Sequence, residues 1–245
     1  MHSHGPSTSL LVINYGTPEL VRNLLSSLAA GPDGTAVSEV VIVDNGSPDK
    51  AGCEALLTTP SPGTPVHVLK NSQSSYSSGV NVGARFARGS HLLVSNSDIA
   101  FGPDPAVGVM LQEMTDEQKV GVCGVQLLFP DGAWQESYRP QTGSQSWLKI
   151  LLFGDVLDRA RAVRDYRAGA SARDVDYVVG AFMMINRLCL EEVGGFDERF
   201  AFYGEEADFC TRARELGWAV RFTSWATVAH VGGASSSSSE AARYH

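Results

Sequence analysis

Four side chains far apart in this sequence have the types that bind and activate a phosphorylated substrate: Asp44, Asp98, Glu206 and His230. Asp98 closes the tripeptide Asn96-Ser97-Asp98, which follows the largely apolar run His91-Leu92-Leu93-Val94-Ser95. Such a run carries a strand into a core, and the carboxylate then emerges at the strand's carboxyl end, where open α/β sheets bind ligands. A hard divalent cation held there, with phosphate oxygens completing its shell, is one way to hold a nucleotide diphosphate. One Asp after a strand is also a common cap or turn residue, so Asp98 gains its weight from the other three.

Asp44 ends a second apolar run and is followed by Asn45-Gly46-Ser47. Its carboxylate could accept hydrogen bonds from a base N–H or a ribose hydroxyl, or it could simply cap the loop; the residues alone weigh the two evenly. His230 precedes Gly232-Gly233. A lone His is more often structural, but a glycine-flexible segment could bring this imidazole to the same metal as Asp98.

Glu205-Glu206-Ala207-Asp208 opens a helix. Acids favour a helix N-terminus, and Asp208 can pair with Arg212 one turn on. At about 100° per residue, Glu206 is expected on the side of Phe209, Cys210 and Ala213, with Glu205, Asp208 and Arg212 on another. A carboxylate on the apolar side is desolvated, which raises its pKa toward the range of a general base. Glu206 is therefore the candidate base, Asp208 reads as structural, and Glu205 and Asp208 stay as secondary acidic candidates. Gly180-Ala181, inside an expected long strand, marks a bulge or a close ligand approach. Gly194-Gly195-Phe196-Asp197 reads as a turn.

The elements that must hold these groups follow from the apolar pattern. Residues 10–13, 40–44, 66–69 and 91–95 read as strands, the first two as runs covered on both faces. Thr17 is expected to cap a helix with Pro18 in its first turn and Leu20, Leu24, Leu25 and Leu28 on one face. Ser47-Pro48 repeats that start. A further helix is expected from Ser77 or Ser78 through Ala87, ended by Gly89. This alternation implies a doubly wound, mostly parallel sheet. Beyond Phe101 the expected elements are a helix through Leu111 and Met114, an extended segment 120–129, a turn at Pro130-Asp131-Gly132, helices within 147–170, a long strand 175–186, a helix 206–216 and an extended segment 220–230. Residues 1–7 and 235–245, the latter with its serine run, are expected to be disordered.

The chain has 245 residues and a formal net charge of −8. That charge argues against nucleic acid as a partner. It does not argue against a nucleotide sugar, because a metal ion can supply the local positive charge. Cys53, Cys123, Cys189 and Cys210 are scattered, which reads as reduced thiols rather than a disulfide framework or zinc site. There is no signal-peptide pattern, and the longest apolar stretch is too short to span a bilayer. The expectation is a cytoplasmic protein, with peripheral membrane contact and a homodimer left open. Neither G-x-G-x-x-G nor G-x-x-x-x-G-K-[ST] is present, which disfavours a dinucleotide dehydrogenase or P-loop enzyme.

Motif order adds a resemblance. Leu11-Val12-Ile13-Asn14-Tyr15, Val41-Ile42-Val43-Asp44-Asn45-Gly46-Ser47 and Asn81-Val82-Gly83-Ala84-Arg85 are followed by the Asn96-Ser97-Asp98 segment. Val193-Gly194-Gly195-Phe196-Asp197-Glu198, Tyr203-Gly204-Glu205-Glu206-Ala207-Asp208-Phe209-Cys210 and His230 complete the series. In this order the set resembles the family 2 glycosyltransferases of the GT-A fold. Pro130-Asp131-Gly132, Gln135, Ser137 and Arg139 look like a rhamnosyltransferase-like branch.

The resemblance implies one GT-A domain over residues 8–234: an α/β, Rossmann-like, mostly parallel sheet flanked by helices. Residues 8–100 would form the nucleotide-sugar-binding half and 101–234 the acceptor-binding and catalytic half. Asn14, Tyr15, Asp44, Asn81, Asn96, Asp98, Gly180 and Ala181 would serve the donor. Asp98 and His230 would hold Mg²⁺ or Mn²⁺, and Glu206 would be the base of an inverting transfer. Asn96 stands where many relatives have Asp, and Glu206 where the family usually has Asp. The implied donor is a UDP- or dTDP-sugar, dTDP-rhamnose among them. The implied acceptor is a glycan, a lipid-linked sugar or a small molecule. Two competing readings remain: a non-catalytic sugar-nucleotide or glycan-binding module, and a sugar nucleotidyltransferase. The second would need a basic glycine-rich loop near the N-terminus, which Gly16-Thr17-Pro18 is not.

Overall fold

A computed structural model describes residues 7–48, 52, 55, 63–73, 75–114, 118–140, 171–200 and 203–232. Both expected tails, the helix after Ser47-Pro48, Cys53 and the helical segment 147–170 fall largely or wholly outside the described residues.

The first half alternates as its apolar runs require. Strand β1 (Thr8–Asn14) leads to α1 (Pro18–Ala30), a 3₁₀ turn (Pro32–Thr35), β2 (Val37–Asp44), β3 (Val66–Lys70), α2 (Tyr76–Phe86) and β4 (His91–Asn96). The second half adds β5 (Ile99–Phe101), α3 (Ala106–Glu113), β6 (Val120–Leu128), β7 (Tyr138–Pro140), β8 (Ala172–Val178), β9 (Phe182–Asn186), α4 (Arg187–Val193), α5 (Glu205–Glu215) and β10 (Ala219–His230). These strands form one ten-stranded sheet in the order β3-β2-β1-β4-β9-β6-β10-β8-β7, with β5 on β10. β3, β2, β1 and β4 are mutually parallel. β9 runs antiparallel between β4 and β6, and β10 lies parallel to β6. Thus β3, β2, β1, β4, β6 and β10 all point the same way, in one α/β domain.

Alternation along β1 divides the core between the two faces. Leu10 and Val12 pack with Val21, Leu24, Leu25 and Met110 beneath α1 and α3. Leu11 and Ile13 pack with Val80, Ala84, Cys189 and Phe209 beneath α2, α4 and α5. α2 approaches the sheet closely, since a Cβ at Gly83 would meet Leu11 Cδ1 at 2.0 Å. α3 begins at Pro105, which has no capping group. The buried Asp33, more than 70 residues earlier, supplies one, accepting from the amides of Ala106 at 3.0 Å and Val107 at 2.9 Å.

Several expectations are corrected. The segment 175–186 is two strands rather than one, broken at Val179–Ala181, and β8 and β9 are not neighbours in the sheet. α2 starts at Tyr76, because Ser75 caps it by accepting from the Ser78 amide at 3.1 Å. Gly89 does not end α2; Ala87 does. Gly89 is glycine because a Cβ there would meet Ser9 N at 2.6 Å. Val21, not Leu20, is in the α1 core face. Thr17 occupies the N-cap position, but its hydroxyl makes no cap.

Candidate active site

The carboxyl ends of the parallel strands β1, β2 and β4 converge on one edge, and each delivers a polar residue there. Asn14 ends β1, Asp44 ends β2 opposite it in register, and Asn96 ends β4. The Asn14 amide donates to Ser47 Oγ at 3.3 Å and to Asp44 Oδ1 at 3.5 Å. Ser47 donates its amide and its hydroxyl to the same Asp44 oxygen. This holds the 45–47 loop as the capping alternative requires, and it fixes a buried carboxylate beside the β1 end. The Thr17 hydroxyl bonds Asn14 Oδ1 at 2.9 Å and Ser97 Oγ at 2.7 Å, so the first helix is tied to the Asn96-Ser97-Asp98 turn. Tyr15 is half-buried on the same edge.

β5 turns the chain back from Asp98 so that it pairs antiparallel with the end of β10, Ile99 opposite His230. That pairing brings together two residues 132 positions apart: Asp98 Oδ1 stands 3.3 Å from His230 Nε2. The remaining atom of each group is occupied. Asp98 Oδ2 accepts from the Gly232 amide at 3.1 Å, and His230 Nδ1 lies 3.0 Å from Gln135 Oε1.

Two oxygen or nitrogen donors about 2.1 Å from one octahedral ion stand about 3 Å apart. Asp98 Oδ1 and His230 Nε2 have that separation and that chemistry, so they fit a hard divalent cation. Two protein ligands leave most of its shell to phosphate oxygens and water, as Mg²⁺ sites on nucleotides do. Among the described residues no group of three or more His, Cys, Asp or Glu side chains is close enough together to hold a metal ion.

The break between β8 and β9 brings the acids to the same place. Ala181 accepts from the Asn96 amide at 2.9 Å, and the carbonyl of Gly180 accepts from the Tyr76 hydroxyl at 2.8 Å. Glu206, in the first turn of α5, packs on Gly180. Burial raises the pKa of Tyr76 well above the usual phenol value, and the fields of Glu205, Glu206 and Asp98 raise it further. The two acids of α5 and the Asp98 carboxylate therefore share one electrostatic neighbourhood around Tyr76.

The expected division of the α5 acids is partly overturned. Glu205, grouped by spacing with Asp208 and Arg212 and apart from the inward face, is in fact the most buried of the three acids Glu205, Glu206 and Asp208. It is 7% exposed, more buried than Glu206, and its Oε2 has no hydrogen-bond partner. The reason is helical spacing: Glu205 lies one turn before the fully buried Phe209 and shares its face. Burial drives the Glu205 carboxyl up to about 7, with a smaller push from Glu206. Glu206 is also raised by burial, and backbone amides at the helix start oppose the shift. Asp208 does pair with Arg212, Oδ2 to Nε at 2.8 Å, and Arg212 also donates to the carbonyls of Val193 and Gly195. Asp197 likewise pairs with Arg199.

Asn81 is not brought to this edge group. Its Oδ1 accepts from the Phe196 amide, and its Nδ2 donates to the Phe196 carbonyl and to Glu198, all at 2.9 Å. It clamps the 194–198 turn. The site residues that reasoning from the sequence missed are Tyr76, Gly232 and, as a partner of His230, Gln135. No local pattern flags them, because each acts on a residue distant in sequence.

The glycosyl transferase family 2 profile matches residues 9–194. The chain belongs to that family. Family 2 relatives include an N-acetylglucosaminyl-diphospho-decaprenol L-rhamnosyltransferase of Mycobacterium tuberculosis, 28% identical over 57% of this chain and 46% of that protein. The low-salt glycan biosynthesis hexosyltransferase Agl10 of Haloferax volcanii is 25% identical over 84% of this chain and 61% of its own length. This family 2 chain thus spans about half the length of the curated relatives it matches. GT-A glycosyltransferases share its fold. GalNAc-T7, solved with UDP, GalNAc and Mn²⁺, superposes with a TM-score of 0.68 at 13% identity, over 93% of this chain and 44% of that one. The mannosyltransferase PcManGT of Pyrobaculum calidifontis, solved with GDP-Man and Mn²⁺, gives 0.63 at 14% identity, over 94% and 58%. Among the described residues no helix is long and apolar enough to cross a membrane.

Proposed function

We propose that this chain is an inverting, divalent-cation-dependent glycosyltransferase. It moves a hexose from a UDP- or dTDP-sugar to an acceptor hydroxyl. The observation that carries the reading is that Asp98 and His230 stand 3.3 Å apart just beyond β4, while Glu206 packs on Gly180 in the turn whose Ala181 carbonyl bonds the Asn96 amide at the end of the same strand. Similarity to an L-rhamnosyltransferase acting on a lipid-linked sugar makes dTDP-rhamnose the first donor to test, and a lipid-linked glycan the first acceptor.

In this reading Asn14, Tyr15 and Asp44 line the nucleoside end of the donor, and Asn96 and Asp98 its diphosphate end. Asp98 Oδ1 and His230 Nε2 hold Mg²⁺ or Mn²⁺, which when bound neutralises charge on the leaving diphosphate. Glu206 accepts the proton of the acceptor hydroxyl as that oxygen attacks the anomeric carbon. The bond from that carbon to the diphosphate oxygen breaks on the opposite side, so configuration inverts. Desolvation of Glu206 makes it a stronger base than a surface carboxylate.

The test is titration calorimetry of UDP, dTDP and GDP, each with and without Mn²⁺, paired with transfer assays of Glu206→Gln. Binding of one nucleotide only with metal, and a turnover lower by about 10²–10⁴-fold in the variant at unchanged nucleotide affinity, is the expected result. Metal-independent binding removes the cation, and unchanged turnover removes Glu206 as the base.

A further inference from the structure

We infer that Gln135 is the positioning residue of the cation site, an inference that rests on the reading of Asp98 and His230 as cation ligands. With the cation bound, its side-chain oxygen accepts a hydrogen bond from His230 Nδ1–H and leaves the Nε2 lone pair facing the cation.

The geometry is specific. His230 Nδ1 is 3.0 Å from Gln135 Oε1, and Nε2 is 3.3 Å from Asp98 Oδ1. A neutral imidazole has one N–H and one lone pair, and the group bonded to one nitrogen decides the role of the other. The Gln135 amide oxygen and the Asp98 carboxylate both only accept, so the single N–H of a neutral ring serves one of them, and a cation on the Nε2 side leaves that proton to Nδ1 and Gln135. Nε2 then faces an anionic oxygen with a lone pair, which is unfavourable unless a cation lies between them.

Gln135 is held where it can do this. Its amide donates to the Leu127 carbonyl at 3.2 Å, and its carbonyl accepts from Gln126 Nε2 and Ser137 Oγ, both at 2.8 Å. Gln126 and Ser137 are 1% and 2% exposed and bond each other at 2.8 Å. A buried polar network thus fixes the backbone from which the amide reaches His230. A Cβ at Gly232 would stand 3.3 Å from Gln135 Nε2, so the amide nitrogen lies against Gly232 and the oxygen against His230. Gly232 has φ +74° and donates its own N–H to Asp98. Both ligands are therefore oriented from one corner, and hydrogen-bonded partners of this kind typically govern metal affinity by 10–100-fold.

The experiment uses ¹⁵N-labelled chain and long-range ¹H–¹⁵N spectra, with the His230 signal assigned by its loss in His230→Asn. With Mg²⁺ and UDP or dTDP bound, wild type should show the Nδ1–H tautomer, and in Gln135→Met the fraction of chain in that state at the same Mg²⁺ concentration should fall. In parallel, Mn²⁺ affinity is measured in the presence of UDP or dTDP. Gln135→Met should bind Mn²⁺ at least about tenfold more weakly, and Gln135→Glu, which keeps an acceptor, should retain the tautomer and most of the affinity. An Nε2–H tautomer in the wild type loaded with Mg²⁺ and nucleotide overturns the inference, and that measurement stands even if Gln135→Met fails to fold. Equal Mn²⁺ affinity in wild type and a folded Gln135→Met also overturns it, leaving the cation site intact. A wild-type chain that takes up no Mn²⁺ with either nucleotide ends the cation reading itself, and this inference with it.

Discussion

Glu206 rests on the bare backbone of Gly180: a methyl group there would stand 3.3 Å from Glu206 Cβ, 3.6 Å from Cγ and 3.8 Å from Cδ. The position of the proposed base is thus set by the absence of one carbon atom on a neighbouring turn. Gly180→Ala should displace the carboxylate by a few tenths of an ångström. The expected outcome is a kcat lower by about tenfold, since small misplacements of reacting groups are costly. Nucleotide affinity should change far less than kcat, because the three atoms nearest an added methyl all belong to Glu206. Steady-state kinetics and calorimetry on the same preparation separate the two.

Asn81 gives a sharper division between stability and binding. Its three hydrogen bonds all go to the 194–198 turn. Asn81→Ala should cost about 1–3 kcal/mol, read as a lower urea midpoint. Nucleotide affinity should hold. A large loss of affinity with little change in stability would return Asn81 to the donor site.

Glu205 makes stability depend on pH. Its folded-state pKa, about 7, lies above the ordinary glutamate value of 4.5. The folded state therefore holds this proton more tightly than the unfolded state does. Its contribution is fully present below pH 4.5 and is lost as pH rises toward 7. Above that the ionised carboxylate is buried at a cost. Glu205→Gln should remove the penalty and gain about 1–3 kcal/mol at pH 8 relative to pH 4.5. Denaturation curves at the two pH values check it; a gain equal at both would place the effect elsewhere.

How much of this was legible follows from the range of the interactions. The strands β1, β2 and β4 are continuous apolar runs, and a polar residue at the end of each is visible locally. So are the helix carrying Glu206 and the Asp208–Arg212 pair, which depend on spacings of four residues or fewer. The break at Gly180 was only half visible. Glycine suggested a bulge, but the apolar residues on either side read as one strand because nothing local says that β9 must leave β8 and insert between β4 and β6. Glu205 departs from expectation because the 100° spacing groups it with Asp208 and Arg212, while its one-turn relation to Phe209, which buries it, is equally allowed by that spacing. Asn81 and Gln135 were out of reach for a different reason: an amide has no pattern of its own, and their partners lie 115 and 95 residues away.

The ten-stranded sheet runs without interruption through the middle of the site. β4, which leads to Asp98, is hydrogen-bonded along its length to β9, and the turn before β9 carries the seat of Glu206. The two halves of the chain therefore share one piece of hydrogen-bonded fabric and not a hinge. The proposed cation ligands and the proposed base are thus seated on segments that one sheet joins. In the proposed reading, choice of sugar and acceptor then falls to the loops and helices that the sheet carries, not to the sheet itself.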